Sequence, residues 1–131
     1  MTDSSTAAVD PTILVADDDD DLLLLMSRRL SKAGYHVITA SNGRQALDLI
    51  AEFTPRMAIL DVMMPELTGP EVLRRIRADA ATTSMLVMLV SAGLSVTAAE
   101  AGPSAAADDY LAKPFLPGQL RERVEALFRR D

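Results

Sequence analysis

Apolar residues fall into short continuous runs, and between the runs lie stretches of helical period. Thr12-Ile13-Leu14-Val15-Ala16 reads as a buried strand, cut off by the aspartates Asp17 to Asp21. Leu22 to Ala33 has helical composition and closes at Gly34, a normal helix stop. His36 to Ala40 is a second strand, and Asn42-Gly43 marks the turn into a helix over Gln45 to Phe53. Met57 to Leu60 is a third strand ending at Asp61. Glu71 to Ala78 is helical, with Val72, Leu73 and Ile76 on one face. Met85 to Val90 is an apolar strand ending at Ser91, and Tyr110-Leu111-Ala112 is a short fifth strand ending at Lys113-Pro114. Leu120 to Arg129 forms the last helix, with Leu120, Val124, Leu127 and Phe128 facing inward.

Apolar strands separated by helices predict an α/β fold, a parallel sheet covered on both faces. One unit departs from the rule. A helix is expected between Ser91 and Tyr110, yet Gly102-Pro103 falls inside that window. Proline in a helix interior costs about 3 kcal/mol, so this fourth helix is predicted to be short or irregular. Thr97 and Glu100 stand at capping-box spacing and could start it late. Residues 1–10 read as a flexible tail, and 11–131 as one domain.

Composition narrows the function classes. With 49% hydrophobic and 24% charged residues, the chain of 131 residues is ordinary globular protein. A net charge of −6 argues against nucleic acid as a partner and suits a divalent cation. There is no cysteine, which excludes disulfides and thiolate metal sites. Neither a signal peptide nor a membrane-spanning run is visible, so the cytoplasm is the expected location.

In a parallel α/β sheet, functional groups gather at the carboxyl ends of the strands. Here those ends carry Asp17 and Asp18, Asp61, Ser91 and Lys113. Two like charges about 4 Å apart repel by roughly 4 kcal/mol at an effective dielectric of 20, so clustered carboxylates call for a cation. Oxygen ligands suit Mg²⁺, with Mn²⁺ as an alternative. An aspartate so placed can attack phosphorus and form an aspartyl phosphate. Lys113 and the Ser91 hydroxyl would then hold phosphoryl oxygens. Plainer roles account for other residues. Asp19 to Asp21 read as helix-capping acids, His36 as a surface residue, and Met63, Met64, Met85 and Met88 as core filler. Arg74-Arg75-Ile76-Arg77 reads as a solvated helix face.

Four stretches together resemble the receiver domains of two-component response regulators. They are Ile13 to Asp19, Asp61-Val62-Met63-Met64-Pro65, Val90-Ser91-Ala92, and Asp108 to Phe115, with Gly69 also in place. The resemblance covers about residues 12 to 130 and implies a flavodoxin-like five-stranded parallel sheet of order 2-1-3-4-5. It implies Asp61 as phosphoacceptor, and Asp17, Asp18, Asp61 and the Met63 backbone carbonyl as Mg²⁺ ligands. It further implies Ser91, Ala92 and Lys113 as the phosphoryl-binding and switch residues, and Tyr110 as the aromatic switch. Lys113 precedes a proline that the family often holds in cis.

The implied donor is a phosphohistidine on a sensor histidine kinase or histidine phosphotransfer protein, and the implied output is contact with a downstream protein. Regulators of this family that dimerise use salt bridges on the fourth helix, fifth strand and last helix. Arg123 and Asp108 are present, but Ala99 and Gln119 replace a usual Arg and Glu. The expectation is a monomer or a weak phosphorylation-dependent dimer. Met63 and Gly93 offer no polar group to orient a hydrolytic water, so self-dephosphorylation is expected to be slow.

Two other functions compete. One is an interaction module of the same fold that is never phosphorylated, against which the complete set Asp17, Asp18, Asp61, Ser91 and Lys113 speaks. The other is a hydrolase of the haloacid dehalogenase type. Its Asp-x-Asp spacing is met by Asp17 and Asp19, but it leaves Asp61 and Lys113-Pro114 unexplained.

Overall fold

A computed structural model describes residues 12–92 and 107–130. The described residues form five strands: β1 (Thr12–Ala16), β2 (His36–Ala40), β3 (Met57–Asp61), β4 (Leu86–Ala92) and β5 (Asp109–Lys113). All pairs are parallel, in the order β2-β1-β3-β4-β5. Among the described residues four helices cover the sheet: α1 (Asp20–Lys32), α2 (Gly43–Phe53), α3 (Gly69–Ala78) and α4 (Pro117–Arg130). This is the flavodoxin-like order 2-1-3-4-5 expected from the sequence.

Strand alternation divides the core into two layers. Leu14, Ala16, Ala58 and Leu60 point to one face and pack with Ala46 and Ile50 of α2 and Val72, Leu73 and Ile76 of α3. Ile13, Val15, Met57 and Ile59 point to the other, against Met26 and Leu30 of α1 and Leu120, Val124 and Leu127 of α4. Continuous apolar strands follow directly, because both faces of the central strands are buried.

Three helices begin earlier than periodicity suggests, because polar caps start them before the apolar face does. The Asp19 carboxylate accepts from the amides of Asp21 and Leu22, Asn42 from Gln45, and Thr68 from Glu71 in a complete capping box. Hydrogen bonds from Thr68 pull the Glu71 carboxyl below its ordinary pKa. The last helix also starts early, at Pro117 rather than Leu120. Proline suits a first helical turn, whose amides lack intrahelical partners.

Two packing expectations are corrected. Met63 is not core filler: it is 72% exposed, in the loop beyond β3, whereas Met64, Met85 and Met88 are buried. Arg77 does not belong to a solvated face, although Arg74 and Arg75 do. Its guanidinium donates to the carbonyls of Thr83 (2.9 Å) and Met85 (2.6 Å) and pairs with Asp108 (2.9 Å). His36 is exposed at the start of the edge strand β2, as expected. Tyr35 stacks on Phe128 at 5.4 Å and Arg56 lies over the same ring, so the last helix is clasped to the amino end of the sheet. The expected tail at 1–10 and the short helix between β4 and β5, with Gly93 and Ala99, lie outside the described residues. No described helix is long and apolar enough to cross a membrane.

Candidate functional site

Register builds the site. Ala16 of β1 pairs with Leu60 of β3, so the next residues, Asp17 and Asp61, end adjacent strands at the same level. Asp61 pairs in turn with Val90, which places Ser91 one residue further along β4. Ala92 pairs with Lys113 at the end of β5. Lys113 lies two strands from Asp61, and its four-carbon stem spans that gap. The ammonium reaches Asp17 Oδ2 at 2.9 Å and Asp61 Oδ1 at 3.2 Å.

Asp17 and Asp61 are buried and Asp18 is exposed, and carboxylate oxygens from all three lie within 4.8 Å of one another. Asp17 is held from both sides, because its Oδ1 accepts the Asp19 amide at 2.9 Å while Oδ2 takes Lys113. Burial raises the pKa of Asp61, and the neighbouring Asp17 charge raises it further; Lys113 opposes both without cancelling them. Lys113 moves upward as well. Burial alone would lower it, but hydrogen bonds and charges from Asp17 and Asp61 outweigh that cost.

Three carboxylates against one ammonium leave about two negative charges uncompensated, which matches a divalent cation. The donors are hard oxygens on a rim with one exposed member, and this set fits Mg²⁺ or Mn²⁺. An apolar cleft of about 390 Å³, lined by Asp19, Leu22, Ala92, Lys113, Pro114 and Phe115, opens beside the ammonium. Ser91 is buried at the rim, and the Lys113-Pro114 bond is cis. Tyr110 is half-buried against the α2–α3 face, and its hydroxyl accepts the Ala107 amide at 3.3 Å.

Every side chain expected at the site therefore lies at the carboxyl end of the sheet or on the strand leading to it. The expected acidic capping role of Asp19 also holds. Asp108 and Arg123, the charged groups named for dimerisation, each make an ion pair within the chain. Asp108 pairs with Arg77, and Arg123 pairs with Asp109 at 2.8 Å. Gln119 accepts the Leu116 amide at the start of α4.

Fold and rim together define a receiver-type α/β domain, and residues 13–125 match the response regulator receiver domain family. The chain belongs to that family, whose members serve two-component signalling. It is 48% identical over 118 residues to the response regulator MprA of Mycolicibacterium vanbaalenii, covering 90% of this chain and 50% of that protein. The probable transcriptional regulator ycf27 of Guillardia theta is 44% identical over 103 residues, 78% of this chain and 39% of that protein. The chain thus spans about half the length, or less, of the curated relatives it matches. Among solved structures, the receiver domain of the Francisella response regulator 1452 superposes with a TM-score of 0.81 at 32% identity, covering 92% of this chain and 98% of that one. Chemotaxis response regulator CheY4 of Vibrio cholerae gives 0.83 at 28% identity, covering 90% and 98%.

Proposed function

We propose that the chain is a phosphorylation-dependent switch in which Asp61 accepts a phosphoryl group from a phosphohistidine donor. The observation that carries this reading is the shared ammonium: Lys113 bridges Asp17 and Asp61, with Asp18 close by. A structural ion pair needs one acid per base, and this rim holds a surplus of acid around one buried nucleophile. In the transfer, an oxygen of the Asp61 carboxylate attacks phosphorus while the phosphorus–nitrogen bond to the donor imidazole breaks, and the imidazole leaves with the electron pair. Lys113 already lies within reach of the Asp61 carboxylate and supplies a donor for a phosphoryl oxygen. Ser91, one residue beyond the Asp61 partner Val90 on β4, supplies a hydroxyl for another.

Asp17, Asp18, Asp61 and the Met63 carbonyl are the groups that would hold Mg²⁺, or Mn²⁺ in its place. When bound, the ion supplies positive charge that offsets repulsion between the aspartates and the incoming phosphoryl group. A sensor histidine kinase or histidine phosphotransfer protein is the fitting donor, and a protein contacted after phosphorylation the fitting target. The cytoplasm, as the compartment of such donors, is the matching location.

Acetyl phosphate with Mg²⁺ tests the reading by mass spectrometry. One added phosphoryl mass on the parent and none on Asp61→Asn is the expected result. No added mass on the parent, or the same gain in the variant, would overturn it and favour an interaction module that is never phosphorylated.

A further inference from the structure

The second β-α unit gives no side chain to the rim, yet it touches the loop that follows Asp61. That loop is pinned at two points. At its base, the Gly69 amide donates to the Val62 carbonyl at 3.0 Å, and a Cβ on Gly69 would collide with the Asp61 carbonyl oxygen. At its apex, the Pro65 carbonyl accepts two amides, Leu67 at 2.8 Å and Gly43 at 3.3 Å. The first of these closes a three-residue turn around Glu66, whose φ is +70°. A side-chain-bearing residue in that region is strained and persists only when its surroundings hold it. Gly43 is part of what holds it. A Cβ at Gly43 would collide with the Leu67 carbonyl oxygen and fall 2.6 Å from Leu67 Cβ. Both are fixed atoms of the loop, so the loop itself would have to move.

We infer that Gly43 is a positioning residue for the rim: its bare Cα seats the strained 65–67 turn and so sets the path of the chain from Asp61 through Met63. The inference rests on the phosphoacceptor reading and adds a residue from the edge unit to it. It also runs against local preference. Gly43 opens α2, where alanine is the better helix former by up to about 1 kcal/mol. A purely local role would therefore make Gly43→Ala neutral or stabilising.

The test compares the parent, Gly43→Ala and, as a control, Gly118→Ala, whose added Cβ meets nothing within 4 Å. Calorimetric Mn²⁺ affinity and the rate of phosphoryl uptake from acetyl phosphate are measured beside the circular dichroism spectrum. Gly43→Ala is expected to stay folded, bind Mn²⁺ about tenfold more weakly and accept phosphate more slowly, because small misplacements at a reacting centre are costly. Gly118→Ala should match the parent. A folded Gly43→Ala with parental affinity and rate would overturn the inference while leaving the phosphoacceptor reading intact. A parent that neither binds Mn²⁺ nor takes phosphate would instead sink that reading, and the inference with it. If Gly43→Ala fails to fold, the parent decides by nuclear magnetic resonance. The Gly43 amide should shift on adding Mg²⁺, while the Gly34 amide at the opposite end of the sheet stays still. An unmoved Gly43 amide is the contrary result.

Discussion

The two ends of the sheet each set aspartate beside a cation, partly buried at the amino end and buried at the carboxyl end, and they use it differently. At the amino end, Asp108 Oδ2 accepts from Arg77 at 2.9 Å and from the Val87 amide at 2.8 Å, and its Oδ1 lies 3.8 Å from Arg130, so one acid meets two bases and a backbone donor. Arg77 spends its remaining donors on carbonyls of the chain between α3 and β4. At the carboxyl end, Asp17 and Asp61 divide a single ammonium, and Asp18 adds a third charge. An acid fully met by bases fastens elements together. Surplus charge of one sign, held in place by a parallel sheet, makes a site for a ligand of the other sign.

Three substitutions would break or sharpen that contrast. The largest effect is expected from Lys113→Ala, which leaves Asp17 and Asp61 buried with no cation. Urea denaturation without divalent metal should show a loss of about 3 kcal/mol, in the range for an orphaned buried charge. Millimolar Mg²⁺ should restore part of it, since any ligand bound only by the folded state stabilises it. Loss of Asp108 should cost less. Asp108→Ala strands the Val87 amide and one arm of Arg77, a loss of about 2 kcal/mol that Mg²⁺ should not repair. Equal Mg²⁺ rescue of both variants would erase the distinction between the two ends.

The smallest effect concerns pH. The folded state raises the pKa of Asp61, so it binds that proton more tightly than the unfolded chain does. Stability from this group is therefore greatest below the unfolded carboxylate range and falls as pH rises through the folded value. Asp61→Asn should remove that fall and make the metal-free protein more stable at neutral pH, as melting curves across the acid range would show. The raised pKa of Lys113 works at the other extreme. Its contribution is present below the unfolded lysine value and disappears as pH climbs through the folded one.

The rim position of Asp61 is legible in the amino-acid sequence alone, because strand ends in an alternating α/β pattern are few and Asp17, Asp18, Ser91 and Lys113 occupy three of the other four. The four expected helices that fall within the described residues are also legible as elements. Their starts are not, since Asp19, Asn42 and Thr68 act as caps through side-chain hydrogen bonds that apolar period does not register. Met63 misleads because residue type does not fix environment. Val62 and Met64, on either side of it in the same loop, turn into the layer under α2 and α3, while Met63 points away from that layer and ends 72% exposed. Arg77 misleads in the opposite sense. In sequence it is one of three arginines on a helix, and only the return of β4 and the approach to β5 supply its carbonyls and its acid.

Sequence by itself determined the layers, the strand order implied by the family pattern and the residues at the carboxyl edge of the sheet, because each follows from local period or from motif position. Tertiary structure decided how charge is shared and where space runs out: which acids Lys113 reaches, which acid is fully met by bases, and which glycines have no room for a Cβ. Those are matters of distance between segments remote in the chain, and no window of neighbouring residues contains them. Gly43 and Leu67 are neighbours only after the second unit has folded against the loop beyond the third strand.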